Sequence, residues 1–371
     1  MITLNQKVLA IIPKCTGSLS LIGSICICRS VLQQQQLNKE KTLYHRIMLG
    51  LSLFDCIASI VNIFSTWPTP SSLSDDVYGA LGTTLTCTAQ GFFNEVGNMG
   101  APLYTSALCI QYFLTIRRDW KERDLRKYET LFHIVPVVIA LSMGIVGLPL
   151  QLYNNSGWLC WYAPYPKGCM SAEECTRGYH AGSIRWLHYS IIWSAICIVT
   201  VTMFSIYRTV RKTETQTLRS SMSLTTNPRK VSKFVATQAG LYVFALYTTW
   251  FSTTILRIYQ TKLNHSPFPL LLLMAIFFPL QGFWNAIIYF RPKWKKRRFS
   301  ILKTKINSNP RPKRSNRFGL FIGSNEDNDS SNKMVVDNVL SLMNDGNDEE
   351  QRRQPGVMIN TNNNDDDDDL I

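Results

Sequence analysis

The chain has 371 residues, 46% of them hydrophobic and 17% charged, with a formal net charge of +14. That charged share is below the roughly 25% of soluble domains. Long apolar blocks fill residues 8–290, which excludes an ordinary soluble globule and, despite the charge, a soluble nucleic-acid binder.

Seven stretches exceed the roughly 20 residues needed to cross about 30 Å of hydrocarbon. They run about 8–32, 47–67, 85–116, 131–153, 184–207, 234–259 and 268–290. The expected fold is therefore an all-α membrane protein, a seven-transmembrane helix bundle. Residues 1–7 form an extracellular N-terminus, and the first span acts as its own insertion signal. Lys14, beside Pro13 in that span, can snorkel to an interface. The third span is rich in small and polar residues. Residues 291–303, with Pro292, Trp294 and Phe299 among their cations, are expected to form a short amphipathic eighth helix on anionic lipids. Residues 304–371 read as a disordered cytosolic tail. From 318 onward they hold 3 basic and 13 acidic groups, including Asp365 to Asp369 in a row.

Orientation follows from Lys and Arg in the loops. Segments 29–46, 117–130, 207–233 and 291–317 carry 29 basic residues, against 7 on the opposite side. This bias expects an extracellular N-terminus and a cytosolic C-terminus. Asn154-Asn155-Ser156 falls on the outside and makes Asn154 a candidate glycosylation site. Six of the ten cysteines lie inside spans, whereas Cys87, Cys160, Cys169 and Cys175 fall outside, where disulfides persist. Four cysteines allow three pairings. Cys87 with Cys160 is the best geometric choice, one at the top of span three and one in the loop after span four. Cys169 and Cys175 would then close a small hairpin.

The stretch His45-Arg46-x-x-Leu49-x-Leu51-Ser52-x-x-Asp55, the Cys87 anchor and Pro279-Leu280-Gln281-Gly282-Phe283-Trp284-Asn285-Ala286-Ile287-Ile288-Tyr289 carry a family likeness. Over residues 8–300 the chain resembles the G-protein-coupled receptors, nearest to the cyclic-AMP-receptor-like and secretin-like groups. Asn285 and Tyr289 keep the spacing of the rhodopsin-like Asn-Pro-x-x-Tyr motif, with Ala286 in the proline's place. Span three ends Ile116-Arg117-Arg118-Asp119 instead of an acidic-Arg-Tyr triplet, and Trp250 has no proline near it in sequence. The resemblance implies a plasma-membrane receptor for an unknown extracellular ligand. Its partner would be a heterotrimeric G protein meeting Arg117 and Arg118.

Asp55 is an ionisable residue deep in a span, so it must face the bundle and find a partner. With Asn285 and Tyr289 it forms a candidate polar switch. Asn94, Glu95 and Asn98 in span three, with Arg185, His188 and Arg257 at the outer ends of spans five and six, are candidate ligand-pocket residues. Glu95, eight residues after Cys87, is expected to pair with Arg185 or Arg257. A retinal pump would need a Lys in residues 268–290, and there is none. No metal-ligand or catalytic motif appears, so no enzyme, cofactor or metal is expected. The remaining alternative is a transporter or channel without G-protein coupling.

Overall fold

The computed structural model describes residues 3–37, 42–169, 171, 173–220, 228–263, 267–291 and 294. Helices α1 (Leu4–Leu37), α2 (Leu43–Phe64) and α3 (Thr84–Arg118) come first. The short α4 (Glu122–Arg126) leads to α5 (Glu129–Val146). A two-stranded antiparallel hairpin follows, β1 (Tyr153–Asn155) with β2 (Cys160–Tyr162), pairing Asn154 with Trp161. Then come α6 (Ala181–Ser220), α7 (Pro228–Leu263) and α8 (Phe268–Phe277). A single 3-10 turn, Phe278–Leu280, joins α8 to a further helical stretch at 281–291.

Five of these helical segments are long and apolar enough to cross a membrane: Leu4–Gln33, Leu43–Phe64, Glu129–Val146, Ala181–Lys212 and Phe268–Arg291. Their outward side chains, among them Ile22, Leu53, Leu131, Val138, Val201 and Phe204, are exposed. Soluble surfaces rarely gather apolar patches on that scale.

Helix α3 is more polar than those five, and its position explains why. It packs against α2, α5, α6 and both strands, and 20 of its 35 residues are buried. A helix enclosed by protein can carry polar side chains that hydrocarbon could not satisfy. Its start is fixed by Thr83 and Thr86, whose side chains each accept from the other's backbone N–H. Its end is fixed by Asp119, in the left-handed region at φ 55°, whose N–H donates to the Leu114 carbonyl.

The remaining long helices close a ring: α1 on α2, α2 on α3, α3 on α6, α6 on α7, α7 on α8 and α8 back on α1. Small residues permit the close approaches, as is usual between membrane helices. A Cβ on Gly97 would stand 2.7 Å from the Ala58 backbone nitrogen. Where α1 meets residues 281–291, the Gly282 N–H donates to Ser20 Oγ at 3.0 Å, and Ser24 Oγ fills the space a Gly282 side chain would take. Helix α5 sits outside the ring against α3, with only Pro136, Ala140, Met143 and Gly144 buried.

Two helix bounds differ from those expected. The fourth apolar stretch ends as a helix at Val146 and does not reach residue 153. Beyond Gly147 the chain turns back, and the Tyr153 hydroxyl donates to the Gly144 carbonyl at 2.6 Å. Lys14 Nζ donates to the Phe64 carbonyl at 3.2 Å and sits 3.5 Å from the Trp67 ring centroid. It therefore caps the negative end of the α2 dipole. Helix α1 starts at Leu4 and not at about residue 8, so it takes in residues 4–7 of the expected extracellular N-terminus, and Gln6 Nε2 donates to the Asp76 carbonyl at 2.7 Å. The amphipathic helix expected at 291–303 and the tail at 304–371 lie outside the described residues, apart from Arg291 and Trp294.

Candidate functional site

One end of the bundle is roofed by the hairpin. Cys87 on α3 is bonded to Cys160 on β2, and Cys169 to Cys175 in the following loop, both at Cα–Cα 5.3 Å. The first bridge drops β2 onto α3, and the Cys160 N–H donates to Gln90 Oε1 at 2.9 Å. Tyr153 and Tyr162 pin the hairpin to the end of α5, the Tyr162 hydroxyl donating to the Met143 carbonyl at 2.6 Å. Burial, with the nearby Glu95 carboxylate adding to it, pushes both phenols well above their ordinary pKa and holds them protonated as donors.

Glu95 lies under this roof and is fully buried. Trp161 Nε1 donates to Glu95 Oε2 at 2.6 Å, and His188 Nδ1 lies 2.8 Å from Glu95 Oε1. A carboxylate only accepts, so His188 Nδ1 carries the proton in this contact. Glu95 thus pairs with His188 and Trp161, not with Arg185 or Arg257 as expected from sequence. The reason is geometric: the disulfide brings Trp161 over α3, and the α3–α6 contact brings His188 alongside. Arg257 instead lies over the Trp161 ring at 5.0 Å, with its nitrogens donating to Gln260 Oε1 and Ser156 Oγ.

A small cavity of about 20 Å³ lies beside this cluster. Asn94, Asn98, His188 and Arg257 line it, so four of the six expected pocket residues meet there. Glu95 stands behind the wall and orients His188. Arg185 does not line the cavity, although it lies within electrostatic reach of Arg257. Asn98 Nδ2 donates to both oxygens of Asn94, tying one turn of α3 to the next. The rest of the wall is aromatic or apolar: Trp161, Tyr189, Trp250, Phe278, Leu159 and Met274. Trp250 is 1% exposed, and its indole N–H has no partner among the described residues.

Deeper in the bundle, Asn285 Nδ2 donates to Asp55 Oδ2 at 2.7 Å, as expected of the polar pair. Asp55 is 1% exposed, and its Oδ1 has no partner among the described residues. Tyr289 does not join this pair. Its hydroxyl lies 3.3 Å from Ser30 Oγ on α1. It belongs instead to a group of buried phenols. Tyr112 is hydrogen-bonded to Tyr44 and lies within electrostatic reach of Tyr242 and Tyr289. Four elements (α2, α3, α7 and the last helix) thus meet through tyrosines toward the end opposite the hairpin. Arg117 and Arg118 are exposed at the foot of α3 beyond them.

Asn154 is reassigned. A glycan needs an exposed side-chain nitrogen, but Asn154 is 7% exposed and its Nδ2 donates to the Gln151 and Ala163 carbonyls. Its Oδ1 accepts from Arg177 Nε at 3.0 Å, so the residue locks the hairpin base.

Sequence reasoning missed Trp161, the place of Trp250 in the cavity wall, and the grouping of Tyr289 with Tyr44, Tyr112 and Tyr242. Trp161 had a usable signal, since it adjoins a cysteine expected to be tethered to α3. The tyrosines had none, because each lies on a different helix. Among the described residues no group of His, Cys, Asp and Glu could hold a metal ion. Fold and site together define an all-α protein with several membrane-length apolar helices and a small cavity at one end. No protein-family model matches the chain, and no curated protein is significantly similar to it.

Proposed function

We propose that this chain is a seven-helix plasma-membrane receptor of the G-protein-coupled type, with its N-terminus outside and its C-terminus in the cytosol. A small extracellular ligand would enter beneath the hairpin, and a heterotrimeric G protein would meet Arg117, Arg118 and the neighbouring basic loops. The basic segment after residue 290 would rest on anionic lipids of the inner leaflet. Helices α3 and α7, which are not among the five apolar helices, would be the third and sixth spans and complete the seven, screened from lipid by their neighbours.

One observation carries this reading. The cavity lies at the disulfide-tethered end, while the same helices meet through Tyr44, Tyr112, Tyr242 and Tyr289 toward the basic end. A two-state bundle that a ligand biases from outside needs that asymmetry. A transporter or channel needs a file of ionisable groups through the midplane. Here the buried carboxylates among the described residues are Glu95 and Asp55, each hydrogen-bonded to a different set of neighbours.

The test is nucleotide exchange by candidate G proteins with the purified full chain in lipid nanodiscs, beside ion-flux measurements in liposomes. Exchange that is lost in the Arg117→Ala, Arg118→Ala double variant supports the reading. Ion or solute flux with no exchange under any condition overturns it.

A further inference from the structure

We propose that the connection between α3 and α5, residues 117–129, is a docking surface for membrane lipids whose headgroups carry several phosphates, the polyphosphoinositides. This rests on the receptor reading only for the choice of leaflet, the cytosolic one. The surface itself follows from how the fold sorts the charges of the connection.

In sequence the segment is nearly balanced. Residues 117–129 hold six cations and four acids, a formal net of +2. The fold separates them. Arg117, Arg118, Lys121, Arg123, Arg126 and Lys127 are all exposed, whereas Glu122, Asp124 and Glu129 are half-buried. Two of those acids are taken up by α2. Glu122 Oε1 accepts from the Leu43 N–H at 2.7 Å. Glu129 is ion-paired with Arg46, whose Nη2 donates to its Oε2 at 2.9 Å. The fourth acid, Asp119, is exposed. The outward face therefore carries six cations against one acid, a formal +5. None of the six is ion-paired among the described residues.

Helical spacing accounts for the sorting. Leu125 is buried, and Glu122, three residues before it, and Glu129, four after, share its side of the turn. Arg123 and Lys127, themselves four residues apart, share the other side. Burying one leucine against the bundle thus draws two carboxylates inward and turns the cations out.

Position makes the partner a lipid. Trp120 and Tyr128 have ring centroids 5.4 Å apart, and Tyr128 is exposed. Such aromatic residues mark the boundary between water and lipid. Tyr128 leads directly into α5, a membrane-length apolar helix that lies outside the ring. Leu131, Ile134 and Val135 in its first two turns are exposed, which sets acyl chains beside the cationic face. Roughly four to eight cations next to a membrane helix suit a multivalent headgroup. An acidic protein segment would match the charge, but not the aromatic pair or the apolar helix beside it.

The test is native mass spectrometry of the purified full chain in detergent, titrated with phosphatidylinositol 4,5-bisphosphate, phosphatidylserine or phosphatidylcholine. The phosphoinositide is expected to bind at least about tenfold more tightly than phosphatidylserine, and phosphatidylcholine least. Arg123→Gln, Arg126→Gln and Lys127→Gln together are expected to weaken phosphoinositide binding about tenfold or more. Lys295→Gln, Lys296→Gln, Arg297→Gln and Arg298→Gln together are expected to leave at least one phosphoinositide bound with wild-type affinity. Equal affinity for phosphoinositide and phosphatidylserine overturns the proposal, and that comparison uses the wild-type chain, so a variant that fails to fold does not blunt it. Binding unchanged in the triple variant, or abolished by the quadruple one, overturns it too. So does displacement of the lipid by a soluble peptide of residues 365–371 at a lower concentration than soluble inositol trisphosphate requires, since the partner would then be an acidic protein segment. The triple variant keeps Arg117 and Arg118, so nucleotide exchange can be read on the same protein. Lipid binding without exchange would remove the receptor reading and leave the surface, and exchange without lipid binding would do the reverse.

Discussion

Replacing Glu95 tests the centre of the site most directly. In Glu95→Ala, Trp161 Nε1 and His188 Nδ1 lose acceptors at 2.6 and 2.8 Å in a place with no solvent exposure. Each orphaned donor costs about 1–3 kcal/mol, and removal of one member of a buried ionisable pair about 3–5 kcal/mol in all. In Glu95→Gln the shape is kept. Oε1 still accepts from Trp161, and Nε2 can donate to His188 once the imidazole proton moves from Nδ1 to its other nitrogen. What is lost is the extra strength of bonds to a charged acceptor, about 1 kcal/mol. At roughly 2–4 °C per kcal/mol, thermal unfolding in nanodiscs should fall by at least about 6 °C for Ala and about 2–4 °C for Gln. Trp161→Phe combined with Glu95→Gln should cost less than the sum of the two, since the first removes the bond that the second weakens. Equal losses for Ala and Gln, or losses below about 1 °C for both, would refute the pairing.

Three further outcomes follow from the packing. Cys87→Ser opens a bridge spanning 73 residues, which the chain-entropy relation values at about 4 kcal/mol. Non-reducing peptide mapping and surface expression should show Cys160 free and delivery impaired, and normal delivery would count against the bridge. Gly97→Val should destabilise by about 1–3 kcal/mol through overpacking. Ala58→Gly should not rescue it in thermal unfolding, because the obstructing atom is the Ala58 backbone nitrogen at 2.7 Å. Asn285→Ala should cost about 1–3 kcal/mol by stripping Asp55 Oδ2 of its donor. Asp55→Asn combined with Asn285→Ala should recover part of that in the same assay, since an amide is cheaper to bury than a carboxylate.

Much of this arrangement was legible in the sequence because membrane constraints are blunt. Apolar length located the helices, and an ionisable residue in a span had to face a partner, which led from Asp55 to Asn285. Cysteines outside the spans gave the roof of the cavity. Sequence could not give the azimuth of each helix. Glu95 was assigned to an arginine by charge alone, whereas a histidine on α6 and an indole on β2 reach it first. Arg257 found an aromatic face in the same way. Nothing in the chain order says that the carboxyl end of α2 lies beside Lys14. Each miss concerns which side chain arrives first among several of suitable chemistry, and that is settled by packing.

Packing also supplies a physical route between the two ends. His188 and Trp250 have ring centroids 5.7 Å apart, and Trp250 meets Phe278 edge-on at 5.5 Å. Phe278 opens the Phe278–Leu280 3-10 turn, the one interruption in the last helix among the described residues. A short 3-10 stretch inside a helix is a common hinge, and here Pro279 withholds a backbone donor at that point. Asn285, seven residues after Phe278, holds Asp55, and Tyr289, one turn further on, lies among the phenols that close the basic end. Trp250 has no proline in its own helix, as the sequence indicated, but it packs against the proline-containing turn of its neighbour. On the proposed receptor reading, a ligand that displaced the Trp250 ring would press on the turn that carries Asn285 and Tyr289. It would favour one setting of the bundle only to the extent that it binds that setting more tightly, since differential affinity alone shifts a two-state equilibrium.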